Sequence, residues 1–531
     1  KGERAPCVNR CPAHVNAQGY IALISQGKYT EALDLIREKI PLPGVIGRIC
    51  PHPCETACTR GRLDEPLAIC TLKRFAADRA ADELPQPEIT PTKEKVAVIG
   101  SGPAGLTAAY YLALEGYRVT IFEALPVAGG MLYVGIPEYR LPKDILEKEI
   151  QAITRLGVAI KTNSPISKEL PLAELTNQGY KSIFISVGAH RGLRLGIPGE
   201  ESAGVVDGVT FLREVNLGNT TSLKGHFAII GGGDVAIDAA RSALRLGAHK
   251  VSILYRRSRT EMPARDEEIK AALDEGVEIH YLTAPVEALS QDGRLTGVRC
   301  IRMELGAPDA SGRRRPVPVP GSEFDISADT LLPAIGQAPE TSLLDGSGIE
   351  TTKRGTIAAD PLTLATNQAG IFAGGDALTG PSIAIEAIAA GKRAAVSIDR
   401  YLKGEDMKEG RSLDEQGPEP FEPPAQEPCR PRVEMPSLSI EERRGSFREI
   451  ELGFTEEMAR EEAQRCLNCG ICSECMQCVA VCEAEAIDHL MAQEDLELEV
   501  GSVILCLGFD EFDADIVSNY GHGTFPNVVT S

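Results

Sequence analysis

One stretch near the start of the chain, from Val96 to Glu123, constrains the fold more than any other. Its sequence VAVIGSGPAGLTAAYYLALEGYRVTIFE opens with a β-branched run, and three glycines follow in the spacing G-x-G-x-x-G. An alanine- and leucine-rich helical pattern and a second apolar run come next, and the second run ends at Glu123. This order of strand, glycine loop, helix, second strand and acid predicts a parallel βαβ unit that binds a dinucleotide.

Each part of this loop has a physical task. The first glycine permits a tight turn, the second lets a diphosphate approach the backbone, and the third lets helix and strand pack closely. The diphosphate would lie at the helix N-terminus, where free N–H groups and the helix dipole favour an anion. The acid about 20 residues further on would accept the ribose hydroxyls of an adenosine. The candidate binding residues of this first loop are Gly100, Gly102, Pro103, Ala104, Gly105 and Glu123.

A second loop of the same kind follows the strand FAII, in the spacing G-x-G-x-x-A. The next strand, VSILY, ends in arginines and lacks the carboxylate that NAD sites usually carry at this place. Guanidinium groups can pair with a 2′-phosphate, so the pattern favours NADPH over NADH. The candidate residues of this second loop are Gly231, Gly233, Asp234, Ala236, Arg256 and Arg257.

Two different dinucleotide folds in one chain predict a flavin that is reduced by a nicotinamide. The first loop, with Glu123, would take FAD, and the second fold, inserted in the first, would deliver the hydride. Gly375 and Asp376, in the sequence AGGDA, are candidates for the ribityl or pyrophosphate region of the flavin. Asp376 could equally be the N-cap of the following helix, and the two roles are compatible.

A redox-active dithiol is missing from the nucleotide-binding part of the chain. The stretch ALPVAGGMLYVGIPEYRLP after Glu123 contains no cysteine, and residues 206–330 contain only Cys300. Electrons must therefore leave the flavin by a route other than a disulfide.

The fifteen cysteines supply that route, because they are concentrated in two clusters, six in residues 1–70 and six in residues 466–482. In a cytosolic chain, such clusters indicate metal or iron–sulfur ligation rather than disulfides. In the C-terminal cluster, the last four cysteines give C-x2-C-x2-C-x3-C, the ferredoxin spacing for a 4Fe–4S cluster. Zinc is the competing interpretation, although zinc sites usually pair two C-x-x-C knuckles across a longer gap. The C-terminal candidate ligands are Cys466, Cys469, Cys472, Cys475, Cys478 and Cys482.

Two features of the clusters leave alternatives open. Cys466 and Cys469 exceed the four ligands of the ferredoxin motif, and could serve a second cluster or the cluster of a partner. Glu483 stands where ferredoxins usually carry proline. The six N-terminal thiols suffice for one cluster but not for two. They are Cys7, Cys11, Cys50, Cys54, Cys58 and Cys70.

Composition excludes some functions. The 531 residues predict roughly two to four domains. A net charge of −21 argues against nucleic acid or an anionic membrane as a partner. We find no apolar run near the ~20 residues that span a bilayer, and no signal-peptide core in KGERAPCVNRCPAH. A cytoplasmic location is the expectation.

Residues 1–405 resemble the glutamate synthase small-subunit family, which also resembles the N-terminal half of dihydropyrimidine dehydrogenase. The matching motifs are GRICPHPCETAC, VIGSGPAGL, GGMLYVGIPEYRLP, GGGDVAIDAAR, YRRSRTEMPA and AGGDA. The resemblance implies an N-terminal helical bundle with 4Fe–4S clusters, an FAD domain and an inserted NADPH domain. It also adds Gly130, Met131 and Arg140, within GGMLYVGIPEYRLP, to the cofactor-binding candidates.

The same resemblance implies a division of the N-terminal thiols. Cys11, Cys50 and Cys54 match three ligands of one family cluster. The fourth position falls near Lys73, a poor ligand, so Cys70 is the expected substitute. Cys7 and Cys58 match ligands of the other cluster, whose two remaining cysteines would lie upstream of Lys1.

Residues 455–531 do not follow this family and are similar to the flavoprotein subunit of heterodisulfide reductase. In such proteins the strand VGSVILCLGF precedes further flavin-domain sequence. The similarity implies that these residues belong to a longer polypeptide or pack on a partner.

Together these features predict an α/β protein with two Rossmann-like domains, the NADPH domain inserted in the FAD domain, between iron–sulfur regions at either end. The predicted divisions are a helical Fe–S domain (1–90), the FAD domain (91–205 and 331–402), the NADPH domain (206–330), a linker (403–455), a ferredoxin-like segment (456–490) and a tail (491–531).

The leading functional interpretation is an NADPH-linked flavoenzyme with FAD and at least two 4Fe–4S clusters, within a hetero-oligomeric anaerobic redox complex. Its partners would be other redox subunits, ferredoxin-like or heterodisulfide-reductase-like, and electron bifurcation is a further hypothesis. The alternative is a glutamate synthase small subunit that supplies electrons to an amide-transferring partner. The intact glycine loops argue against a third class, a scaffold with degenerate sites.

Overall fold

The computed structural model describes residues 4–80, 89–167, 169–309, 312–413, 422–423 and 426–470, then 472, 473, 475, 477–489, 491, 497, 499 and 501. The chain divides into two compact units, Lys1–Cys475 and Met476–Ser531. Apart from Gly501, the predicted strand VGSVILCLGF lies outside the described residues.

The N-terminal region is helical, as predicted. The periodic stretch from Tyr20 to Ile40 forms two helices, because Gly27 adopts a φ of +78° and reverses the chain. Asn16 begins the first of these by accepting a hydrogen bond from the backbone N–H of Gly19 (2.9 Å). The helices are α1 (Pro6–Arg10), α2 (Ala17–Ser25), α3 (Tyr29–Arg37), α4 (Pro43–Ile49), α5 (Pro53–Thr56) and α6 (Ile69–Ala80).

Strands and helices then alternate. This segment comprises β1 (Lys95–Ile99), α7 (Pro103–Leu114), β2 (Arg118–Phe122), α8 (Met131–Val134), α9 (Lys143–Thr154), β3 (Ala159–Lys161), α10 (Leu172–Asn177), β4 (Tyr180–Ile185) and β5 (Arg191–Gly192).

A second alternating segment follows. Its elements are α11 (Gly208–Asn216), β6 (His226–Ile230), α12 (Asp234–Arg245), β7 (Lys250–Tyr255), α13 (Asp266–Glu275), β8 (Glu278–Tyr281), β9 (Thr283–Gln291), β10 (Arg294–Pro308), β11 (Arg314–Pro318), β12 (Phe324–Ser327) and β13 (Thr330–Pro333).

The remaining elements close the first fold and continue toward the C-terminus. They are β14 (Gln337–Ala338), β15 (Ile371–Ala373), α14 (Asp376–Thr379), α15 (Ala384–Lys403), α16 (Ile440–Arg444) and α17 (Glu456–Ala463), with α18 (Gln477–Val481) in the second unit.

Two parallel sheets organise these elements. The first has the strand order β15-β4-β1-β2-β3 and the second the order β13-β6-β7-β8. The chain leaves the first sheet after β4, builds the second, and returns at β15, which confirms the predicted α/β class with one nucleotide fold inserted in the other. Because β13 pairs with β6, the second sheet continues three residues past the predicted boundary at residue 330.

A continuous hydrophobic core joins the N-terminal helices to the first nucleotide fold. It includes Ile46 and Leu72 from the helices together with Val98 of β1 and Leu106 of α7. The inserted fold has a separate core around β6, β7 and α12. The cysteine-bearing region is therefore packed directly onto the fold that contains the first glycine loop.

The segment predicted as a linker, 403–455, also contributes to the packing. In its described part, Leu438 and Ile450 are buried. The backbone N–H of Ile450 donates to the carbonyl of Tyr139 (3.0 Å). This contact holds the segment against the loop that follows α8.

Candidate functional site

The first glycine loop has the close packing that its spacing predicts. Gly100 adopts a φ of +97°, and a Cβ atom there would lie 2.6 Å from the carbonyl oxygen of Ser186. A Cβ on Gly105 would overlap the carbonyl oxygen of Gly100. Gly102 caps α7, and no described atom lies within 4 Å of the position of its Cβ. The backbone in front of the helix N-terminus is thus open to a ligand, while the loop behind it is tightly packed.

Pro103 and Ala104 form the first turn of α7, where a proline costs no helical hydrogen bond. Gly130, which precedes Met131 at the start of α8, adopts a φ of +53°. A Cβ on Gly130 would lie 2.9 Å from the Cα atom of Gly102. The structure therefore brings the GGM motif against the glycine loop.

Glu123 lies at the carboxyl end of β2 and is buried beneath the first loop. Its Oε2 accepts hydrogen bonds from the backbone N–H and the hydroxyl of Ser101 (2.9 and 2.5 Å), and its Oε1 accepts one from the N–H of Leu125 (2.8 Å). Ser101 also accepts from the N–H of Gly129 (3.0 Å). Sequence reasoning missed Ser101, which joins the acid, the loop and the GGM segment.

Gly375 and Asp376 lie against the same helix N-terminus. A Cβ on Gly375, whose φ is +63°, would be 3.1 Å from the Cβ of Ala104. Asp376 begins α14 and accepts a hydrogen bond from the backbone N–H of Ser382 (3.1 Å). Burial raises the pKa of Asp376 to about 6. The first sheet thus gathers all the predicted flavin-loop residues at the carboxyl ends of its strands.

A further glycine, Gly391 in α15, was not predicted as a site residue. A Cβ at this position would overlap the carbonyl oxygen of Ala104 and lie 2.8 Å from the Cβ of Thr107. The two helices α7 and α15 therefore approach closely at the beginning of α7. The signal for this approach was the run of small residues in SIAIEAIAAGKRAAVSI.

The second glycine loop has the same design. A Cβ on Gly231 would overlap the carbonyl oxygen of Ala334, whereas no described atom lies within 4 Å of the Cβ position of Gly233, which caps α12. Asp234 is exposed in the first turn of α12, and Ala236 is fully buried. The N-terminus of α12 is again open to a ligand.

The structure separates the two arginines that follow β7. Arg256 is exposed. The side chain of Arg257 is 7% exposed, and its guanidinium donates to Asp309 Oδ2 and to the carbonyl of Arg314, both at 2.8 Å. Of the pair, Arg256 therefore has the accessible side chain, whereas Arg257 supports the neighbouring β-structure.

Arg140 connects the two nucleotide folds. Its guanidinium forms ion pairs with Asp238 of α12 (2.7 Å) and Glu268 of α13 (3.4 Å). Its neighbour Tyr139 packs beneath the guanidinium of Arg245, 4.1 Å from the ring centroid. Arg140, predicted as a cofactor-binding residue, is thus engaged with carboxylates of the inserted fold.

Four N-terminal thiols lie near a buried ammonium group. Lys73 is 3% exposed. Burial lowers the pKa of Lys73, but the nearby thiols raise it above its ordinary value, so that the ammonium stays charged. The hydrogen bond between Cys50 and Cys70 lowers the pKa of Cys50 to about 6. This group, which we call the inner thiol group, consists of Cys11, Cys50, Cys54 and Cys70.

Two other N-terminal thiols meet two thiols from the far end of the first unit. They line one cavity, together with apolar side chains such as Ile21, Leu67 and Ile69. Burial raises the pKa of Cys7, and the neighbouring Cys466 and Cys469 raise it further. We call this set the bridging thiol group; its members are Cys7, Cys58, Cys466 and Cys469.

The other C-terminal cysteines are divided between the two units. In the first unit, Cys472 is exposed and Cys475 is half-buried. In the second, Cys478 Sγ lies 3.2 Å from His489 Nε2, and the sulfur of Cys482 accepts a hydrogen bond from the N–H of Ala486 (3.4 Å). Within the described part of the chain, no three His, Cys, Asp or Glu side chains converge on a position for a single metal ion.

Comparison with known families identifies the nucleotide-binding core. A family model described as pyridine nucleotide-disulphide oxidoreductase matches residues 94–391. The chain belongs to this family. A second model, described as dihydropyrimidine dehydrogenase domain II with a 4Fe-4S cluster, matches residues 1–84. The protein is an NADPH-dependent oxidoreductase of the FAD and 4Fe–4S type, and the predicted cofactors are confirmed.

Three curated relatives extend the comparison. The chain is 48% identical over 500 residues to the β subunit of the NADP(+)-dependent formate dehydrogenase of Moorella thermoacetica, a match that covers 88% of this chain and 70% of that protein. It is 42% identical over 504 residues to the β subunit of the NADPH-Fe(3+) oxidoreductase of Geobacter sulfurreducens (88% and 75% covered). The Escherichia coli glutamate synthase [NADPH] small chain is 32% identical over 422 residues (75% and 88% covered), which confirms the predicted family resemblance.

A solved structure supports the fold. Mycobacterium tuberculosis FprA in complex with NADPH aligns with a TM-score of 0.50 and 18% identity, covering 59% of this chain and 85% of that chain. In the helices that the structure describes, we find none with the length and apolarity needed to cross a bilayer.

The residues present fit the cofactors of the family. Both glycine loops leave open backbone at a helix N-terminus, which suits a diphosphate. The inner and the bridging thiol groups each supply four sulfurs, the usual donor set of a 4Fe–4S cluster. The matched nucleotide-binding region contains only one cysteine, the fully buried Cys300, so this family member has no dithiol there.

Proposed function

We propose that this chain is the NADPH-linked flavin subunit of a multi-subunit redox complex, and that it moves electrons between NADPH and 4Fe–4S clusters by way of FAD. Two relatives support a subunit role, since both are named as β subunits. One is named for formate and the other for Fe(3+). The reaction at the far end would therefore be set by partner subunits, while this chain would supply the NADPH-linked half.

The observation that carries this proposal is the rigid attachment of the cysteine region to the flavin loop. Glu149 of α9 accepts hydrogen bonds from the backbone N–H groups of Gly44 and Val45 (2.6 and 3.0 Å), at the beginning of the helix α4 that leads to Cys50. The carbonyl of Glu38 accepts from Tyr111 Oη (2.8 Å). These contacts, with the shared core, hold the inner thiol group at a fixed separation from α7, as electron transfer between two centres requires.

The nicotinamide side is attached in a similar way. The ion pair between Arg140 and Asp238 joins the loop after α8 to α12, the helix that begins at the second glycine loop. Asp238 is buried, so removal of Arg140 would leave its carboxylate without this ion pair. The pair therefore favours one arrangement of the two nucleotide folds.

The chemistry supplied by a bound FAD is the uptake of two electrons from NADPH and their delivery one at a time to iron–sulfur centres. The described residues would bind and orient the cofactors: Gly102 and Gly233 would admit the diphosphates, Glu123 would face the adenosine end, and Arg256 would pair with the 2′-phosphate. The inner thiol group would hold the first cluster, with the Lys73 ammonium offsetting its negative charge.

The glutamate synthase small subunit is the second candidate function, supported by the 32% identity to that chain. Cys466 and Cys469 favour the leading proposal, because the C-terminal region donates thiols to the N-terminal domain. The likeness of residues 455–531 to heterodisulfide reductase, and electron bifurcation, remain predictions.

An anaerobic reduction experiment tests the proposal. The full-length protein, isolated with its partner subunits, is mixed with NADPH, flavin absorbance is followed by stopped flow, and reduced clusters are detected by EPR. We expect the flavin to bleach first and the cluster signals to follow, with NADH much slower. Dithionite is the control that shows which clusters can be reduced. Flavin reduction by NADPH without reduction of any dithionite-reducible cluster would contradict the proposed route.

A further inference from the structure

The C-terminal part of the first unit is built into the N-terminal helical domain. Gln18 and Gly470 exchange two hydrogen bonds, from the Gly470 N–H to Gln18 Oε1 (2.9 Å) and from Gln18 Nε2 to the Gly470 carbonyl (3.3 Å). The side-chain amide of Asn16 donates to the carbonyl of Ser473 (2.7 Å). A Cβ on Gly19 would overlap that same carbonyl oxygen. The two segments are therefore fitted to each other directly after Cys469.

Buried charges hold the same segment just before Cys466. The side chain of Arg465 is 1% exposed and forms ion pairs with Asp64 (3.0 Å) and Glu462 (2.8 Å). Glu462 also accepts a hydrogen bond from the backbone N–H of Ala68 (2.8 Å). A buried ion pair is costly unless its geometry is well satisfied, so this network specifies one position for the segment.

Between these two anchors, four thiols line one cavity: Cys7 in α1, Cys58 after α5, and Cys466 and Cys469 in a C-x-x-C pair. Thr59 donates its hydroxyl to Cys469 Sγ (3.5 Å). The remaining lining is largely apolar, and we find no carboxylate among the lining residues. Such a wall supplies four soft sulfur donors and no carboxylate that would compete with them.

We propose that Cys7, Cys58, Cys466 and Cys469 together hold a 4Fe–4S cluster, with two ligands from each end of the first unit. This assignment rests on the proposed function, in which the chain carries electrons through iron–sulfur clusters. It gives Cys466 and Cys469 a role outside the ferredoxin motif, which retains four cysteines of its own from Cys472 to Cys482.

The position of this bridging cluster follows from the chain. Its ligands Cys7 and Cys58 lie four residues from Cys11 and Cys54 of the inner thiol group. On the other side, the three-residue step from Cys469 to Cys472 spans at most about 11 Å. The bridging cluster is therefore next to the inner cluster and next to the first ligand of the ferredoxin motif, as a relay between them requires.

Cysteine-to-serine variants of the full-length protein, isolated anaerobically with its partners, test the assignment. Iron is counted, and the dithionite-reduced protein is examined by EPR and Mössbauer spectroscopy. We expect Cys7→Ser and Cys466→Ser each to lose about four iron atoms and the same EPR signal. Cys478→Ser should lose a different signal, and the exposed Cys429 provides the control Cys429→Ser, which should lose none.

Three results would overturn the assignment: Cys466→Ser with its full iron content, Cys466→Ser and Cys478→Ser lacking the same signal, or zinc in place of iron. Retention of FAD by a variant shows that it has folded.

Alkylation of the wild-type holoprotein gives a test that needs no variant. Cys466 and Cys469 should react with iodoacetamide at least tenfold more slowly than Cys429, and equal rates would contradict ligation. The iron count, the spectra and the alkylation rates do not depend on NADPH. A failure of NADPH to reduce the flavin would therefore refute the proposed function, while the cluster assignment would still be decided by these three measurements.

Discussion

Replacement of Arg256 by alanine should reduce the preference for NADPH without affecting the use of NADH. Arg256 is exposed and directly follows β7, whose last residue, Tyr255, packs against Gly232 of the second glycine loop. The 2′-phosphate of NADPH would lie at this loop. A hydrogen bond to a charged group contributes about 1.5–3 kcal/mol. Because about 1.4 kcal/mol is a factor of ten, we expect Arg256→Ala to lower kcat/KM for NADPH roughly 10- to 100-fold.

Arg257 provides the contrasting variant. Its guanidinium is committed to Asp309 and to the carbonyl of Arg314. Arg257→Ala should therefore destabilise the β-structure around β10 and β11. It should leave the ratio of NADPH to NADH activity within about twofold, because a guanidinium that is already bonded within the protein contributes little to the choice between the two nucleotides.

A matched control lies at the other end of the same strand. Lys250 is half-exposed and paired with Glu278 (2.9 Å). Lys250→Ala removes one positive charge from β7 far from the loop, and should leave the cofactor ratio unchanged. The assay is anaerobic steady-state reduction of a viologen dye with each nucleotide. An unchanged ratio in Arg256→Ala, or a changed ratio in Arg257→Ala alone, would refute the division of roles that the structure indicates.

Three further predictions concern the packing of the centres. Lys73→Met removes a buried positive charge, so it should lower the reduction potential of the inner cluster by the order of 100 mV. A redox titration followed by EPR measures this potential, and an unchanged value would contradict the placement of the ammonium near the cluster. Burial raises the pKa of Glu149 from its ordinary 4.5 to about 7, so the carboxyl loses its proton less readily in the folded state than in the unfolded state. The free energy of unfolding should therefore fall by up to about 3 kcal/mol as the pH rises from 4.5 to 7, and should fall no further on this account above pH 7. The variant Glu149→Gln lacks the titrating carboxyl, so its apparent unfolding temperature should not show this fall between pH 5 and 7.5. Equal pH slopes in the variant and the wild-type protein would contradict the prediction. Gly391→Ala should lower the FAD content after purification by wedging α15 from α7, whereas Gly445→Ala, where no described atom lies within 4 Å, should retain FAD.

Local chemistry made the nucleotide loops readable from the sequence. A tight turn, an open helix N-terminus and an acid at the end of the next strand all lie within 28 residues, from Val96 to Glu123, and each depends on neighbours in the chain. The same holds for the ferredoxin spacing, in which all four cysteines fall between 472 and 482. For this reason the α/β class, the inserted fold and the cofactor types could all be predicted.

Other features depended on contacts between distant residues. The sequence placed Arg256 and Arg257 side by side, but an ion pair with Asp309, 52 residues away, turns Arg257 inward. Arg140, predicted to bind a cofactor, donates a hydrogen bond to Asp238, 98 residues further on.

The cysteines show this limit most clearly. Spacing identified Cys466 and Cys469 as thiols beyond the four of the ferredoxin motif, and no local rule could assign them. Their partners Cys7 and Cys58 lie some 400 residues earlier, and the anchoring bond from Gln18 to Gly470 spans 452 residues. The local sequence thus determined which cofactors this protein can bind. The packing of the C-terminal segment on the N-terminal helices decided which thiols share a site, because that choice depends on long-range contacts and buried charges rather than on spacing.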